Sequence, residues 1–360
     1  MYLSSEPGRM FATGQDEAHK YKKKMTMMTP QVRNGATRLQ RSGRWLVGLL
    51  LLSGLIIVVI YFGEIESFIQ LLQRTSPVWL IAGTFLQVGT YFGTAAVWFF
   101  AMRRAGIGFR MLPLVPLGVA KLFSDQALPS GGMSGTAFLI TALRRRGVAP
   151  EICMAALLVG LVSYYAAYVL VAILSLGLLQ FYHAMRGWII TIIALFCLSA
   201  VIIIAGTIWL RRRSEKPVPT WLKRIPGLNR LLDTIGDAPA DLLHDPALLA
   251  QTTLIQLSIF ILDSATLWVM LRAVGQEVSI LTAFPSFVVA SVVASLGLIP
   301  LGLGTFEATC VAILRALGVP LKAALTATLL LRGFTLWLPM APGLWLARRE
   351  LTVESGDNVN

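Results

Sequence analysis

The sequence predicts an all-α integral membrane protein with six full membrane spans and two shorter hairpins that are broken by proline and glycine. Of its 360 residues, 56% are hydrophobic and only 14% are charged, a composition more apolar than that of a typical soluble domain. A helix needs roughly 20 mostly apolar residues to cross the hydrocarbon of a bilayer. Six stretches meet this requirement: 45–62, 77–101, 150–181, 188–210, 248–271 and 323–347.

The net charge of +13 fits membrane orientation better than nucleic-acid binding, because basic residues that flank spans favour the cytoplasmic side. With the amino terminus inside, 24 of the 31 Lys and Arg residues fall in cytoplasmic segments. We therefore expect a multi-pass protein of the bacterial inner membrane. Both termini are expected in the cytoplasm, and no nucleic-acid partner is expected.

The polar segments divide the chain into three parts. Residues 1–44 form a basic cytoplasmic leader that we expect to be disordered, and residues 348–360 form a cytoplasmic tail. Residues 45–347 form the transmembrane domain, which includes a cytoplasmic loop at 211–247. The first apolar stretch runs into the acidic segment 63–66 instead of a small-residue cleavage site, so we interpret it as an uncleaved anchor.

Two further apolar regions, 111–146 and 279–318, are interrupted and resemble each other. At an offset of 171 residues, Pro129 aligns with Pro300, and a Leu-Arg-x-x-Gly-Val motif ending at Val148 aligns with one ending at Val319. Chance alignment of small residues is the alternative, but the shared motif and its place before a long span favour duplication. Each region is predicted to be either a re-entrant hairpin or a pair of short spanning helices.

Three full spans separate the two hairpins, so the second hairpin is expected on the opposite face of the membrane from the first. The repeat is therefore predicted to be inverted. Pro129 and Pro300 lack an N–H, and the glycines beside them remove side-chain bulk, so helices stop there and free backbone polar groups. Such backbone is tolerated at membrane depth only within protein or beside a wet cavity. Broken helices at matching places in two halves are typical of a transporter's substrate site.

The order of these motifs resembles a known family. Pro-x-Gly-Gly-x-x-Gly at 129–135, Gly-Leu-Gly-Thr-Phe-Glu at 302–307, Arg332 and Pro342-Gly343 are similar to the lysylphosphatidylglycerol synthase transmembrane-region family, also called the flippase-like domain family. The similarity extends over residues 45–347. The family pattern includes Gly302, Gly304, Glu307 and Arg332, whereas Thr136 stands in the first hairpin where Glu307 stands in the second.

The resemblance implies a role with lipids. In fused members this membrane part moves aminoacylated phosphatidylglycerol between leaflets, and stand-alone relatives are linked to other lipids and lipid-linked sugars. The chain runs 13 residues past its last predicted span without an aminoacyl-transferase domain. We therefore expect a stand-alone membrane domain and no lysyl transfer.

Ionisable residues within apolar sequence are the candidate functional groups, because charges at membrane depth are costly and usually face a bundle interior or a water-filled path. Lys121 and Asp125 are four residues apart and so share a helix face, with Gln126 beside them. Lys121 could attract a lipid phosphate that Asp125 holds or releases. The alternatives are an ion pair that only fixes helix packing, or a limb that reaches the cytoplasmic interface.

Glu307 follows the second glycine-rich break and is expected in the first turn of the next helix, where the helix dipole favours a carboxylate. Arg332 lies within an otherwise uncharged span and cannot lose its proton, so it needs a partner. We hypothesise that Arg332 pairs with Glu307 and that an anionic headgroup opens the pair. A purely structural bridge, or capping by Glu307 alone, is the alternative.

Asp263 could couple transport to protons or join the polar cluster, or it could stay neutral and bind a neighbouring helix. The complete set of predicted substrate-binding or translocation residues is Lys121, Asp125, Gln126, Pro129, Gly131, Gly132, Asp263, Pro300, Gly302, Gly304, Glu307 and Arg332.

The sequence contains no motif typical of catalysis, such as GxSxG, HExxH or a P-loop. Its three cysteines lie in separate segments without a CxxC spacing, so neither a metal site nor a cofactor is predicted. The leading hypothesis is a lipid flippase or transporter that is not an enzyme. The alternatives are an intramembrane lipid-modifying enzyme and a non-catalytic partner of a lipid-synthesis enzyme. The expected partners are membrane lipids with an anionic headgroup or of a polyprenyl or hopanoid type.

Overall fold

The computed structural model describes residues 75–127, 133–213, 240–296 and 302–352, and every regular element in these ranges is helical. The predicted leader, the predicted span 45–62, most of the loop 211–247 and the end of the tail lie outside the described residues. The helices are α1 (Pro77–Arg104), α2 (Leu114–Ala127), α3 (Met133–Arg145), α4 (Pro150–Phe181), α5 (Gly187–Arg213), α6 (Ala240–His244), α7 (Pro246–Ala273), α8 (Ile280–Leu296), α9 (Thr305–Ala316), α10 (Leu321–Arg332) and α11 (Leu338–Thr352), with a π-helical turn (Gly333–Trp337) between α10 and α11.

Five segments of the described chain are long and apolar enough to cross a bilayer, which makes the protein a multi-pass membrane protein. They are Pro77–Arg104, Pro150–Phe181, Gly187–Trp209, Pro246–Ala273 and Leu321–Arg349. Each corresponds to one of the five spans predicted beyond residue 76, so a helix of sufficient length and apolar composition is present at all five places. Both ends of the loop predicted at 211–247 are helical, because α5 continues to Arg213 and because α6 and the start of α7 occupy the last part of the loop.

The long spans α1, α4 and α7 begin with a proline in their first turn, where the missing N–H would have had no partner within the helix. Helix α7 packs against α1, α4, α8 and α10 and is the central element of the described bundle. Its contact with α1 is close because α1 presents glycines: a Cβ at Gly83 would lie 2.6 Å from Met270 Cε. Small residues that let backbones approach are typical of helix packing in membranes.

The two interrupted regions are helix pairs, as predicted. Helices α2 and α3 pack against each other, and so do α8 and α9. These four helices contain 14, 13, 17 and 12 residues, so none exceeds about 26 Å at 1.5 Å per residue. Each is shorter than the hydrocarbon core of roughly 30 Å. Their bends, 128–132 and 297–301, lie outside the described residues.

Each helix pair has its own hydrophobic core, and the two cores lie toward opposite ends of α4. The first-hairpin core joins α2 and α3 to the second half of α1 and to the amino-terminal half of α4, from Cys153 to Val162. The second-hairpin core joins α8 and α9 to α10 and to the carboxyl-terminal half of α4, from Ala167 to Leu179. Because α4 is 32 residues long, the two hairpins are separated along the direction in which this helix crosses the membrane.

The last span is interrupted by the π-helical turn, which the sequence analysis did not predict. Leu338 N–H bonds to Gly333 O, five residues earlier, instead of the residue four earlier. Pro339 explains the irregularity, since its ring nitrogen cannot donate to the carbonyl of Thr335 and its ring crowds the preceding turn. Turns of this kind often occur at functional sites, and this one begins directly after Arg332.

Candidate functional site

The second hairpin places Glu307 at the start of α9, in the first helical turn, as the sequence analysis expected. Gly302 and Gly304, which precede the helix, have φ angles of 63° and 79°, a region that glycine adopts readily. The backbone N–H of Gly304 donates to Glu307 Oε2 at 2.6 Å. One carboxylate oxygen of Glu307 therefore caps α9, and the other oxygen is left to face a neighbouring helix.

The predicted contact between Glu307 and Arg332 is present. Glu307 Oε1 lies 2.5 Å from Arg332 Nε, and the two side chains are only 14% and 10% exposed. The guanidinium carbon of Arg332 also lies 5.0 Å from the ring centre of Phe306, within the distance at which an aromatic face attracts a cation. The charge of Arg332 is therefore held between a carboxylate and an aromatic ring at the beginning of α9.

The first hairpin carries a pair of a different kind. Lys121 Nζ lies 2.6 Å from Asp125 Oδ2, and both residues belong to α2, as their spacing predicted. The other oxygen, Asp125 Oδ1, accepts a hydrogen bond from the backbone N–H of Gly135 at 2.8 Å. Asp125 thus satisfies an unpaired donor in the first turn of α3 from the neighbouring helix. It fixes how the two limbs of the hairpin meet.

Residues from both hairpins contact the segment that contains Arg332 and the π-helical turn. Gln126 Nε2, near the end of α2, donates a long hydrogen bond of 3.4 Å to Thr335 O. This is the carbonyl to which Pro339 cannot donate, because proline has no N–H. Helix α2 also packs closely on α11, because a Cβ at Gly343 would lie 2.5 Å from Phe123 Cβ. Arg332, three residues before Thr335, binds Glu307 of the second hairpin. We call the residues Gln126, Glu307, Arg332 and Thr335 the hairpin junction.

Asp263 lies away from the hairpin junction, in a polar group between α1 and α7. Gln87 Nε2 donates to Asp263 Oδ1 at 3.0 Å and to Thr266 Oγ1 at 3.1 Å. Within the described ranges, Asp263 forms no ion pair and no hydrogen bond with the hairpin junction or with Lys121. The structure therefore separates the predicted polar residues into three groups.

Sequence reasoning missed several residues that complete these groups. Gln87 is an uncharged residue in a long apolar span, and only the packing of α1 on α7 shows that it binds Asp263. The role of Gly135 as a donor to Asp125 depends on the hairpin fold. Thr335 had a usable signal, since Pro339 stands four residues after it and leaves its carbonyl without the normal helical donor.

The ends of α1 and α7 form a separate charged pocket beside the first-hairpin core. Arg104 Nε forms an ion pair with Asp245 Oδ2, and the N–H groups of Ala247 and Leu248 donate to Asp245 Oδ1 at 2.9 and 3.2 Å. The pKa of Asp245 is lowered from its ordinary value, mainly by the Leu248 N–H and further by Arg104. The pocket has a volume of about 380 Å³ and is lined by Phe100, Arg103, Arg104, Asp245, Ala247, Leu248 and Gln251.

Four predicted site residues, Pro129, Gly131, Gly132 and Pro300, lie in the bends outside the described residues. Among the residues that the structure describes, no group of three His, Cys, Asp or Glu side chains could hold a metal ion.

Comparison with known proteins adds one match. A family model described as the lysylphosphatidylglycerol synthase TM region matches residues 45–343. The matched region includes both hairpins, the hairpin junction and Asp263. No curated protein matches the chain.

Proposed function

Because the chain belongs to the lysylphosphatidylglycerol synthase transmembrane-region family, we propose that it is a lipid translocase that moves an anionic lipid between the leaflets of the bacterial inner membrane. The family is related to lipid modification or transport in the membrane. Translocation by this chain would depend on the charged side chains described above, and it would leave the lipid chemically unchanged.

The buried ion pair of the hairpin junction is the observation that carries the proposal. Arg332 is 8% exposed and has Glu307 within 2.5 Å. Its guanidinium can bind a phosphate in two-pronged geometry as readily as a carboxylate. An anionic headgroup that reaches the junction would replace Glu307 as the partner of Arg332. The freed carboxylate would still be held by the N–H of Gly304, so the exchange leaves α9 capped.

We propose further that the two hairpins are re-entrant and enter the membrane from opposite faces as an inverted repeat. Two observations support this arrangement: over their described residues all four limbs are too short to cross alone, and the two hairpin cores lie toward opposite ends of α4. The distribution of basic residues supports cytoplasmic termini. The first hairpin would then open toward the cytoplasmic leaflet and the second toward the outer leaflet, with the hairpin junction between them.

The lipid would reach the hairpin junction from one leaflet and leave it toward the other. The polar side chains of each hairpin would bind the headgroup on their side of the membrane. On the cytoplasmic side Lys121 carries a charge that can attract a phosphate, although Asp125 neutralises it at rest. This arrangement favours anionic headgroups, and it extends to lipid-linked sugar phosphates of the polyprenyl type. We also propose that lipid-synthesis enzymes, which would supply such substrates, are its partners.

The test is a leaflet-access assay with the purified protein in vesicles that contain fluorescent phosphatidylglycerol. A membrane-impermeant quencher reports the fraction of the lipid in the outer leaflet, and mass spectrometry reports whether the lipid itself changes. We expect faster loss of fluorescence with unchanged lipid mass. A change in lipid mass would favour a modifying enzyme instead. Access rates equal to those of protein-free vesicles, for phosphatidylglycerol and for a polyprenyl phosphate, would rule out the translocase.

A further inference from the structure

A second polar site lies where α1, α4 and α7 meet. Asp263 is 17 residues from the start of α7 and 10 from its end, which places it about 15 Å from the nearer end of a helix that crosses the membrane. Gln87 of α1 donates to its carboxylate. Tyr91 is four residues after Gln87 and so lies on the same face of α1, and the ring centre of Tyr164 in α4 lies 5.7 Å from that of Phe260, three residues before Asp263.

This carboxylate has no positive partner in the described part of the chain. Its hydrogen-bond donor is a neutral amide that it shares with Thr266. The titratable groups that face it are the hydroxyls of Tyr91 and Tyr164, and α8, which also packs on α7, has no titratable side chain. Helix α6, which directly precedes α7 in the chain, also contacts it and contains Asp241 and His244. Helix α10 packs on α7 too and carries charges only at its two ends. The charge at its carboxyl-terminal end belongs to the hairpin junction, where it is paired with a carboxylate of α9.

A carboxylate that is removed from water without an opposite charge is unfavourable as an ion and stable as a neutral acid. The Tyr91 hydroxyl is buried and has no hydrogen-bond partner among the described residues, so this site also holds an unused polar group beside the acid. Such a site suits the proton as its ligand. The protonated acid is stable while water is absent from the site, and the anion is stabilised when water reaches it.

A row of tyrosine side chains leads from this site to the second hairpin. The ring centres of Tyr164 and Tyr168 are 5.5 Å apart, and the hydroxyl of Tyr168 lies 3.3 Å from Ser295 Oγ. Ser295 is the next-to-last described residue of α8, immediately before the bend of the second hairpin. The row therefore connects Tyr164 with the last described turn of α8, one limb of the second hairpin.

We propose that Asp263 is a proton-carrying site that couples lipid movement through the protein to a proton gradient, an inference that rests on the translocase function proposed above. Asp263 takes up a proton from water on one side to form the neutral acid, and it loses that proton to water on the other side. No bond in the lipid is made or broken.

The experiment uses the full chain in vesicles that contain NBD-labelled phosphatidylglycerol and an internal pH dye, with the membrane potential held at zero. For one proton moved with each lipid, a gradient of one pH unit shifts the steady-state ratio of the lipid between leaflets by about tenfold. We expect this shift, together with proton flow, in the wild type. We expect neither the shift nor the flow in Asp263→Asn.

Two variants make the comparison specific. Asp245→Asn makes the same substitution at the start of the same helix, and it should respond to the gradient as the wild type does. Asp263→Glu restores the acid and should restore the response, which ties the response to a carboxyl group at this position. Carbodiimide labelling, which requires a protonated carboxyl group, should modify Asp263 at low pH and decline as the pH rises.

The remaining outcomes separate failure of the proton coupling from failure of the translocase function. Lipid exchange in the wild type without any shift by the gradient overturns the coupling and leaves the translocase function standing. No lipid exchange under any condition overturns the translocase and the coupling together. A gradient response in Asp263→Asn equal to that of the wild type overturns the proposal, and so does carbodiimide labelling of Asp263 that does not decline as the pH rises.

Discussion

The two hairpins have the same helical plan but use their charges differently. In the first hairpin, Lys121 and Asp125 are neighbours on one helix, and their side chains are 23% and 19% exposed. In the second hairpin, Glu307 pairs with Arg332 of another helix, and these side chains are 14% and 10% exposed. The first pair can form within α2 alone, whereas the second requires α9 and α10 to be packed. The two similar hairpins therefore contain different kinds of ion pair, one within a helix and one between helices. The pair between helices is the one in which an anionic ligand could replace the carboxylate.

The largest effect is expected from Arg332→Gln. Removing one member of a buried ion pair leaves Glu307 as an unpaired charge, which should lower the free energy of unfolding by about 3–5 kcal/mol and abolish lipid transfer. Denaturant titration in mixed micelles and the leaflet-access assay measure the two results. The double variant Glu307→Gln with Arg332→Gln is the control. It should recover most of the stability but not the transfer, and full transfer in Arg332→Gln alone would contradict the role of the hairpin junction.

Alanine at one glycine of each hairpin should sharpen the contrast between the hairpins. A Cβ at Gly302 would lie 2.5 Å from Ala294 Cβ and 3.3 Å from Ala294 Cα, at a φ of 63°. Backbone strain and overpacking should together cost about 2–4 kcal/mol. The three atoms nearest to a Cβ at Gly135 all belong to the Asp125 carboxylate, the closest at 2.5 Å, and this side chain can rotate away. Gly135→Ala should therefore cost about 1 kcal/mol, the typical value of a lost cap. Equal losses in thermal denaturation would show that the two glycine positions tolerate a Cβ equally well.

A smaller effect is expected from Lys121→Met. The lost partner is partly exposed and lies on the same helix, so the change in the free energy of unfolding should be below about 1 kcal/mol. Lipid transfer should fall modestly, through weaker attraction of phosphate, and salt should reduce the difference from wild type. Asp125→Ala is the informative companion, because it also removes the acceptor for Gly135 N–H. A loss of transfer in Lys121→Met as severe as that in Arg332→Gln would make the two hairpins functionally equivalent.

The smallest effect concerns pH at the end of the bundle near the first hairpin. The pKa of Asp245 is lowered by the Leu248 N–H and by Arg104, so its contribution to stability is complete above the ordinary aspartate value of about 3.9. The contribution is lost as the pH falls through the lowered value. Asp245→Asn should therefore lose less stability than the wild type when melting temperatures are compared from about pH 6 to about pH 3. Identical pH profiles would show that the Arg104–Asp245 pair does not form in solution.

The spans and the hairpins could be predicted from sequence because each depends on a local property. Apolar length indicated the five described spans, and proline and glycine marked the two breaks. The pairing of Glu307 with Arg332 was also predictable, since a permanent charge in an apolar span requires a partner. The Gln87–Asp263 contact was not, because it joins residues 176 positions apart and depends on how α1 lies against α7. The π-helical turn was missed although Pro339 marks it, because a proline in a span predicts a kink without specifying which carbonyl is released.

The π-helical turn also affects how the last span inserts into the membrane during synthesis. Ribosomes deliver the first hairpin before the last span, so Gln126 is already available when Thr335 emerges. Until Gln126 reaches the Thr335 carbonyl, the last span enters the bilayer with a backbone acceptor that Pro339 leaves without its helical donor. Membrane insertion of this span is therefore expected to depend on the earlier half of the chain, and a fragment beginning at α10 should insert less completely than the same segment in the full protein.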